Sequence, residues 1–253
     1  MTRAAALLDR VHLAHTFLTR LPLPQPRGTI DPERVARSAV AFPLVGLTVG
    51  AAAGAVRFAA DPIGPLVAVV AALAVAPLLT GAFHEDGLAD TADGLGPLDR
   101  GRRLEAMRDS RLGTFGVLAL VFSVLARFAL LAPLGVRDCV LALIAGHVLG
   151  RWSTLPLALR STPTQPDGLG TFLLRPRTEE VAWASALALL IAGPALVAIH
   201  PAALPVAVVV AAGVTFACGE FWKRAFGGVT GDTYGATNQL VEIATLAAVA
   251  AVL

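Results

Sequence analysis

Asp86, Asp90 and Asp93 stand in the run His84-Glu85-Asp86-Gly87-Leu88-Ala89-Asp90-Thr91-Ala92-Asp93-Gly94. On an α-helix, positions i, i+4 and i+7 share one face. Three carboxylates gathered there repel one another, and a cation between them relieves the repulsion. Oxygen-only ligands suit magnesium, which is commonly held by one or two carboxylates together with substrate phosphates. The stretch just before, Leu66 to Phe83, carries no charged residue. The spacing therefore predicts a metal and phosphate site at the edge of a membrane.

Two further stretches suit anionic oxygens. Met107-Arg108-Asp109-Ser110-Arg111-Leu112-Gly113-Thr114 brings Arg108 and Arg111 to the start of another apolar segment. A guanidinium fork binds phosphate in bidentate fashion and never loses its charge, and a helix opening at Gly113-Thr114 adds backbone donors. Gly227-Gly228-Val229-Thr230-Gly231-Asp232-Thr233-Tyr234-Gly235 has four glycines in nine residues, which lets backbone approach a ligand closely. It lacks the Gly-Lys-Ser/Thr ending of a P-loop. Asp232 is placed to complete a metal shell. A third stretch, Pro166-Asp167-Gly168-Leu169-Gly170, reads as an ordinary flexible turn.

The elements that position these residues are membrane helices. The chain of 253 residues is 56% hydrophobic and 15% charged, with a mean hydropathy of +0.71; soluble domains are about 25% charged. Apolar stretches of ~18 residues argue for spans. They fall at 36–60, 63–84, 113–134, 137–159, 180–199, 202–222 and 236–253. Residues 4–20 carry Leu7, Leu8, Val11, Phe17 and Leu18 at helical spacing, which predicts an amphipathic helix on the membrane, ended by Pro22, Pro24 and Pro26. Asp31-Pro32 reads as a helix start. The charges in the first 20 residues leave no signal-peptide core. Cys139 and Cys218 show no paired spacing and read as small apolar residues. The expected fold is an all-α integral membrane protein: one polytopic domain over 1–253, about seven transmembrane helices and an N-terminal amphipathic helix.

Basic residues are placed unevenly. The N-terminal segment and the loops after the second, fourth and sixth spans hold 16 of the 20. With seven spans these regions share one face, which the positive-inside rule makes cytoplasmic. The three polar loops with unusual chemistry lie on that face, and the C-terminus is expected outside. Within or near the spans, Glu220, Lys223, Arg224, Glu242, Arg127 and Arg151 are costly in lipid and count as functional candidates. The arginines either pair with such groups or snorkel. His147 and His200 read as structural histidines.

The run Phe83–Gly94 resembles the acidic signature of the cobalamin synthase family, the adenosylcobinamide-GDP ribazoletransferases. So do Met107–Thr114 and Gly228–Ala236 followed by Glu242, and Phe17-Leu18-Thr19-Arg20-Leu21-Pro22 with Phe42-Pro43-Leu44-Val45-Gly46 resembles its N-terminal pattern. The motifs run in order along essentially the whole chain. Glu85 and Tyr234 depart from the pattern, and neither removes a candidate ligand. The resemblance implies a multi-pass, magnesium-dependent enzyme of the cell membrane with its active site on the cytoplasmic side. It joins adenosylcobinamide-GDP to α-ribazole or α-ribazole 5′-phosphate and releases GMP. It implies Asp86, Asp90, Asp93 and Asp232 as metal ligands, and Asp232 or Asp93 in the catalytic role. It implies His84, Arg108, Arg111, Gly228, Thr230, Gly231 and Thr233 as the substrate and phosphate set. The expected partners are the two substrates and the lipid bilayer, without nucleic acid; the oligomeric state, an oligomer included, stays open.

Two other classes compete. A CDP-alcohol phosphotransferase shares the start of its pattern with Asp90-Thr91-Ala92-Asp93-Gly94, but Gly94-Leu95-Gly96-Pro97 lacks the continuation. A transporter places its site near the bilayer midplane on broken helices, whereas these carboxylates cluster at one edge.

Overall fold

The structure is a computed structural model that describes residues 3–26, 28–164 and 176–253. Among the described residues the helices are α1 (Arg3–Leu18), α2 (Pro32–Ser38), α3 (Phe42–Ala60), α4 (Pro65–Thr80), α5 (Phe83–Gly94) and α6 (Arg100–Met107). They continue with α7 (Thr114–Leu131), α8 (Val136–Trp152), α9 (Thr154–Arg160), α10 (Thr178–Ile199), α11 (Ala203–Phe226) and α12 (Gly231–Ala250). The expected amphipathic helix is α1, and Asp31 caps α2 by accepting the Arg34 N–H at 2.8 Å.

The centre of the bundle is built on small residues. Gly46 and Gly50 lie one turn apart on α3, where a Cβ would stand 2.4 Å from the His147 carbonyl and 2.7 Å from the Ile144 Cα of α8. Backbones this close gain dispersion contacts that lipid cannot supply between larger side chains. At the periphery, α7 and α11 leave Phe115, Phe122, Val209 and Phe216 exposed. Such exposed apolar surfaces suit contact with acyl chains.

The count of seven spans is revised. Five stretches are long and apolar enough to cross a membrane: Glu33–Ile63, Thr114–Leu131, Val136–Arg160, Thr178–Ile199 and Ala203–Phe226. A sixth arises only if α4 and α5 are taken together, and these are bent by 90°. The stretch expected as one span over 63–84 therefore ends at Thr80. Gly81 (φ 69°) and Ala82 (φ 59°) both adopt the left-handed conformation and turn the chain. Arg20 lies over Gly81, and the left-handed φ there favours glycine. We read α4 as entering the membrane and α5 as lying across the end of the bundle, beyond the spans.

The expected seventh span is α12. It is long enough at 20 residues, since a 30 Å core needs about 20. It is not apolar enough to pass alone, because it carries Asn238, Gln239 and Glu242. These are buried at 1%, 1% and 4% exposure; neighbouring helices, rather than lipid, surround α12. A C-terminus outside the membrane rested on counting seven apolar spans, and that count no longer supports it.

Candidate active site

The acidic run forms α5, as its spacing predicts. Asp86 is exposed, and Asp90 and Asp93 are half-buried. The first turn of α12 packs directly against α5. A Cβ at Gly87 would stand 2.8 Å from the Asp232 carbonyl and 3.1 Å from its Cα, so the two helices meet across a glycine. This brings Asp232 to the acidic helix from the far end of the sequence. Burial, then the charges of Asp86, Asp232 and Asp93, push the Asp90 carboxyl up to about 6. Burial, with Asp86 adding to it, also raises Asp232, against lowering by its own backbone N–H and by Thr230. Each shift opposes charge on a carboxylate, as expected where like charges converge in partial desolvation. Among the described residues, no group of three His, Cys, Asp or Glu side chains is preassembled as a metal cage.

Asp93 has backbone partners. Its Oδ2 accepts the Gly113 N–H at 2.7 Å and its Oδ1 accepts the Gly116 N–H at 2.8 Å. It caps α7 from another helix, and a Cβ at either glycine would come within 2.4 Å of its oxygens. The donor at Gly113, expected to meet a substrate anion, is thus taken by Asp93. This task comes in addition to the ligand or base role the resemblance implies. Asp93→Ala removes both bonds and should cost about 1–2 kcal/mol. Thermal unfolding of purified protein in detergent checks this; an unchanged midpoint contradicts the capping role.

The glycine-rich stretch is the start of α12. Thr230 Oγ1 accepts the Thr233 N–H at 3.2 Å, and Thr233 Oγ1 accepts the Thr230 N–H at 2.8 Å. This reciprocal box fixes the turn that carries Asp232. Thr230 Oγ1 lies 3.5 Å from Asp232 Oδ2. Gly228 is buried, and a Cβ there would stand 2.2 Å from the Thr162 carbonyl. Its neighbour Val229 donates to Thr162 O at 2.9 Å and accepts from Thr164 N at 3.1 Å. Gly228 therefore joins two loops of the same bundle end, while Gly231 lines a small cavity of about 20 Å³ with His84 and Tyr234. His84 is buried, with no partner for Nδ1 among the described residues, and it lies on the side of α5 away from Asp86.

Arg108 follows Met107, which packs where a Cβ at Gly94 would be, 2.3 Å from its Cγ. This places Arg108, exposed, at the C-terminal end of the acidic helix. Arg111 is exposed and bonded to Asp109 at 2.7 Å; its hydrogen bonds hold Asp109 down at about 2. Arg100 and Arg103 donate to the Lys223 and Ala225 carbonyls, which ties this loop to the end of α11. The turn Pro166–Gly170 lies outside the described residues.

Deeper in the bundle, the arginines pair rather than snorkel. Glu242 Oε1 is 2.8 Å from His147 Nδ1 and 3.7 Å from Arg127 Nε, and its Oε2 is 3.5 Å from Arg151 Nη1. Sequence reasoning missed the link from this cluster to α5, in which Gln239 Nε2 donates to Glu85 Oε1 at 3.3 Å. It also missed Gly87 as the contact that admits Asp232. A small residue on the acidic helix was the only signal for that contact.

The family model for cobalamin-5-phosphate synthase matches residues 10–250. A protein of Allorhizobium ampelinum named adenosylcobinamide-GDP ribazoletransferase is 38% identical, over 97% of each chain. Proteins of the same name from Escherichia coli and Azorhizobium caulinodans are each 39% identical. They cover 92% and 96% of this chain, and 96% of their own length. No solved structure matches. Matched along nearly its whole length, this chain belongs to the cobalamin-5-phosphate synthase family.

Proposed function

We propose that the face shared by α5 and the start of α12 is the magnesium-dependent site at which this chain joins adenosylcobinamide-GDP to α-ribazole or its 5′-phosphate, releasing GMP. The observation that carries the site is the contact across Gly87, where the first turn of α12 meets α5 and Asp232 comes to the helix that bears Asp86 and Asp90. Such a set fits a divalent cation, because a cation replaces the proton that burial and the neighbouring charges draw to Asp90. Magnesium keeps several waters and takes one or two carboxylates plus substrate phosphates, so it needs no three-ligand protein cage. Asp86 and Asp90 would hold it. When bound, magnesium neutralises the diphosphate oxygens and the charge that develops on the leaving GMP.

The remaining work falls to the chain's own residues. Asp232 accepts the proton of the ribazole hydroxyl as that oxygen attacks the phosphorus attached to cobinamide. Its raised proton affinity suits a base. As the new phosphorus–oxygen bond forms, the bond to the GMP oxygen breaks. Arg108, exposed at the end of α5, binds a diphosphate oxygen, and Arg111 can do so on releasing Asp109. The start of α12 directs its dipole at the same anion. Positioning and electrostatics are the main means by which a protein speeds phosphoryl transfer.

The face is read as cytoplasmic because the arginine-bearing segment 100–111 lies at its end of the bundle, tied there to the end of α11 that bears Lys223 and Arg224. GMP release by purified protein tests the function. The expected result is GMP only when adenosylcobinamide-GDP, a ribazole acceptor and magnesium are all present. GMP release without acceptor, or at full rate in chelator, contradicts the proposal.

A further inference from the structure

Beneath the acidic face, a line of polar contacts runs from the buried middle of the bundle to the half-buried Glu85 of α5. Arg127 of α7 donates to Ser123 Oγ at 2.9 Å and to the Gln239 side-chain oxygen. The other end of the Gln239 amide donates to Glu85, and Glu85 precedes Asp86. Behind Arg127 stands Glu242, with Arg151 and His147 of α8. Two guanidiniums share one carboxylate at Glu242, and Glu85 adds a second, which bonds Gln239 and lies near enough to Arg151 to act on it through its charge. Gln239 is 1% exposed. A side chain there must accept from a guanidinium and donate to a carboxylate, which an amide does and a carboxylate or alkyl group does not. Its orientation follows from those two neighbours. A polar link engaged both as acceptor and as donor fixes geometry more than it adds stability.

We propose that Gln239 is a positioning residue: it fastens α5 to the buried charge cluster, and so sets where Asp86 and Asp90 stand relative to Asp232. This rests on the reading of the acidic face as a divalent-cation site. It assigns Gln239 no contact with substrate.

The test exchanges the two partners. In Q239E a carboxylate faces the Glu85 carboxylate. In E85Q/Q239E the carboxylate at 239 accepts from Arg127 and the amide at 85 donates to it, with atoms and net charge conserved. Manganese(II) binding without substrate, read from the free-ion electron paramagnetic resonance signal, is compared with turnover. Q239E should bind manganese at least about tenfold more weakly, as loss of a ligand-orienting contact does, and should lose turnover in parallel. E85Q/Q239E should recover most of both, the non-additivity expected of partners in contact. A residue that merely fills space would show no such recovery. Should Q239E fail to insert, Q239M removes both hydrogen bonds without repulsion and should weaken binding in the same direction. Manganese binding unchanged in the single variants, or an exchanged pair as poor as Q239E, overturns the proposal. If wild-type protein binds no manganese, the cation reading fails by itself. Turnover then decides for Gln239: recovery in the exchanged pair supports it, and no recovery overturns it.

Discussion

Asp90→Asn should lower GMP release by at least about 10²-fold while leaving membrane insertion intact, since it removes a charge that faces developing charge in the reaction. The amide keeps the shape of the carboxylate but is a poorer magnesium ligand, so excess magnesium should restore part of the rate. Asp232→Asn should behave differently. Loss of a base lowers turnover by about 10²–10⁴-fold with the magnesium dependence little changed. The two profiles, measured side by side, separate ligand from base.

Asp90 also sets a pH dependence. Its carboxyl is raised from 3.8 to about 6, so the folded, metal-free protein binds the proton more tightly than the unfolded chain. Its contribution to stability is complete below about 3.8 and is lost as pH rises through about 6. Cation and proton compete for the same oxygens. Apparent magnesium affinity should therefore climb with pH up to about 6 and then level off.

Glu242→Leu carries the largest expected cost to stability. Glu242 is the carboxylate nearest Arg127 and Arg151, all three being buried. Its removal leaves two guanidiniums without their close counter-charge, and breaking a buried pair from one side costs about 3–5 kcal/mol. Unfolding in detergent should show a large loss, with little protein recovered from membranes. A midpoint within a degree or two of wild type contradicts the pairing.

Much of this was legible in the sequence. The i, i+4, i+7 spacing of Asp86, Asp90 and Asp93 placed three carboxylates on one helix, and α5 is that helix. Helices near the expected boundaries followed from apolar runs. The 90° bend was hidden, because a single glycine is tolerated inside an apolar helix and nothing in Ala82 announces its left-handed conformation. The nature of α12 was hidden for a related reason. A helix with Asn238, Gln239 and Glu242 is read against lipid, and only packing shows that other helices surround it. The bond from Asp93 to α7 depends on two helices meeting end to side, which residue spacing within either one does not encode. The approach of Asp232 to Asp90 was legible only as far as topology put both loops on one face; the glycine that permits it had to be seen.

The central claim is that α5 and α12 together form one divalent-cation and diphosphate site. Manganese(II) titration of purified protein with adenosylcobinamide-GDP, followed by the free-ion electron paramagnetic resonance signal, tests it most directly. The account predicts saturable binding in wild type, strongly weakened in both Asp86→Asn and Asp90→Asn and retained in Asp232→Asn, whose turnover is nevertheless lost. Full manganese binding in Asp86→Asn and Asp90→Asn, or full turnover in Asp232→Asn, would contradict it.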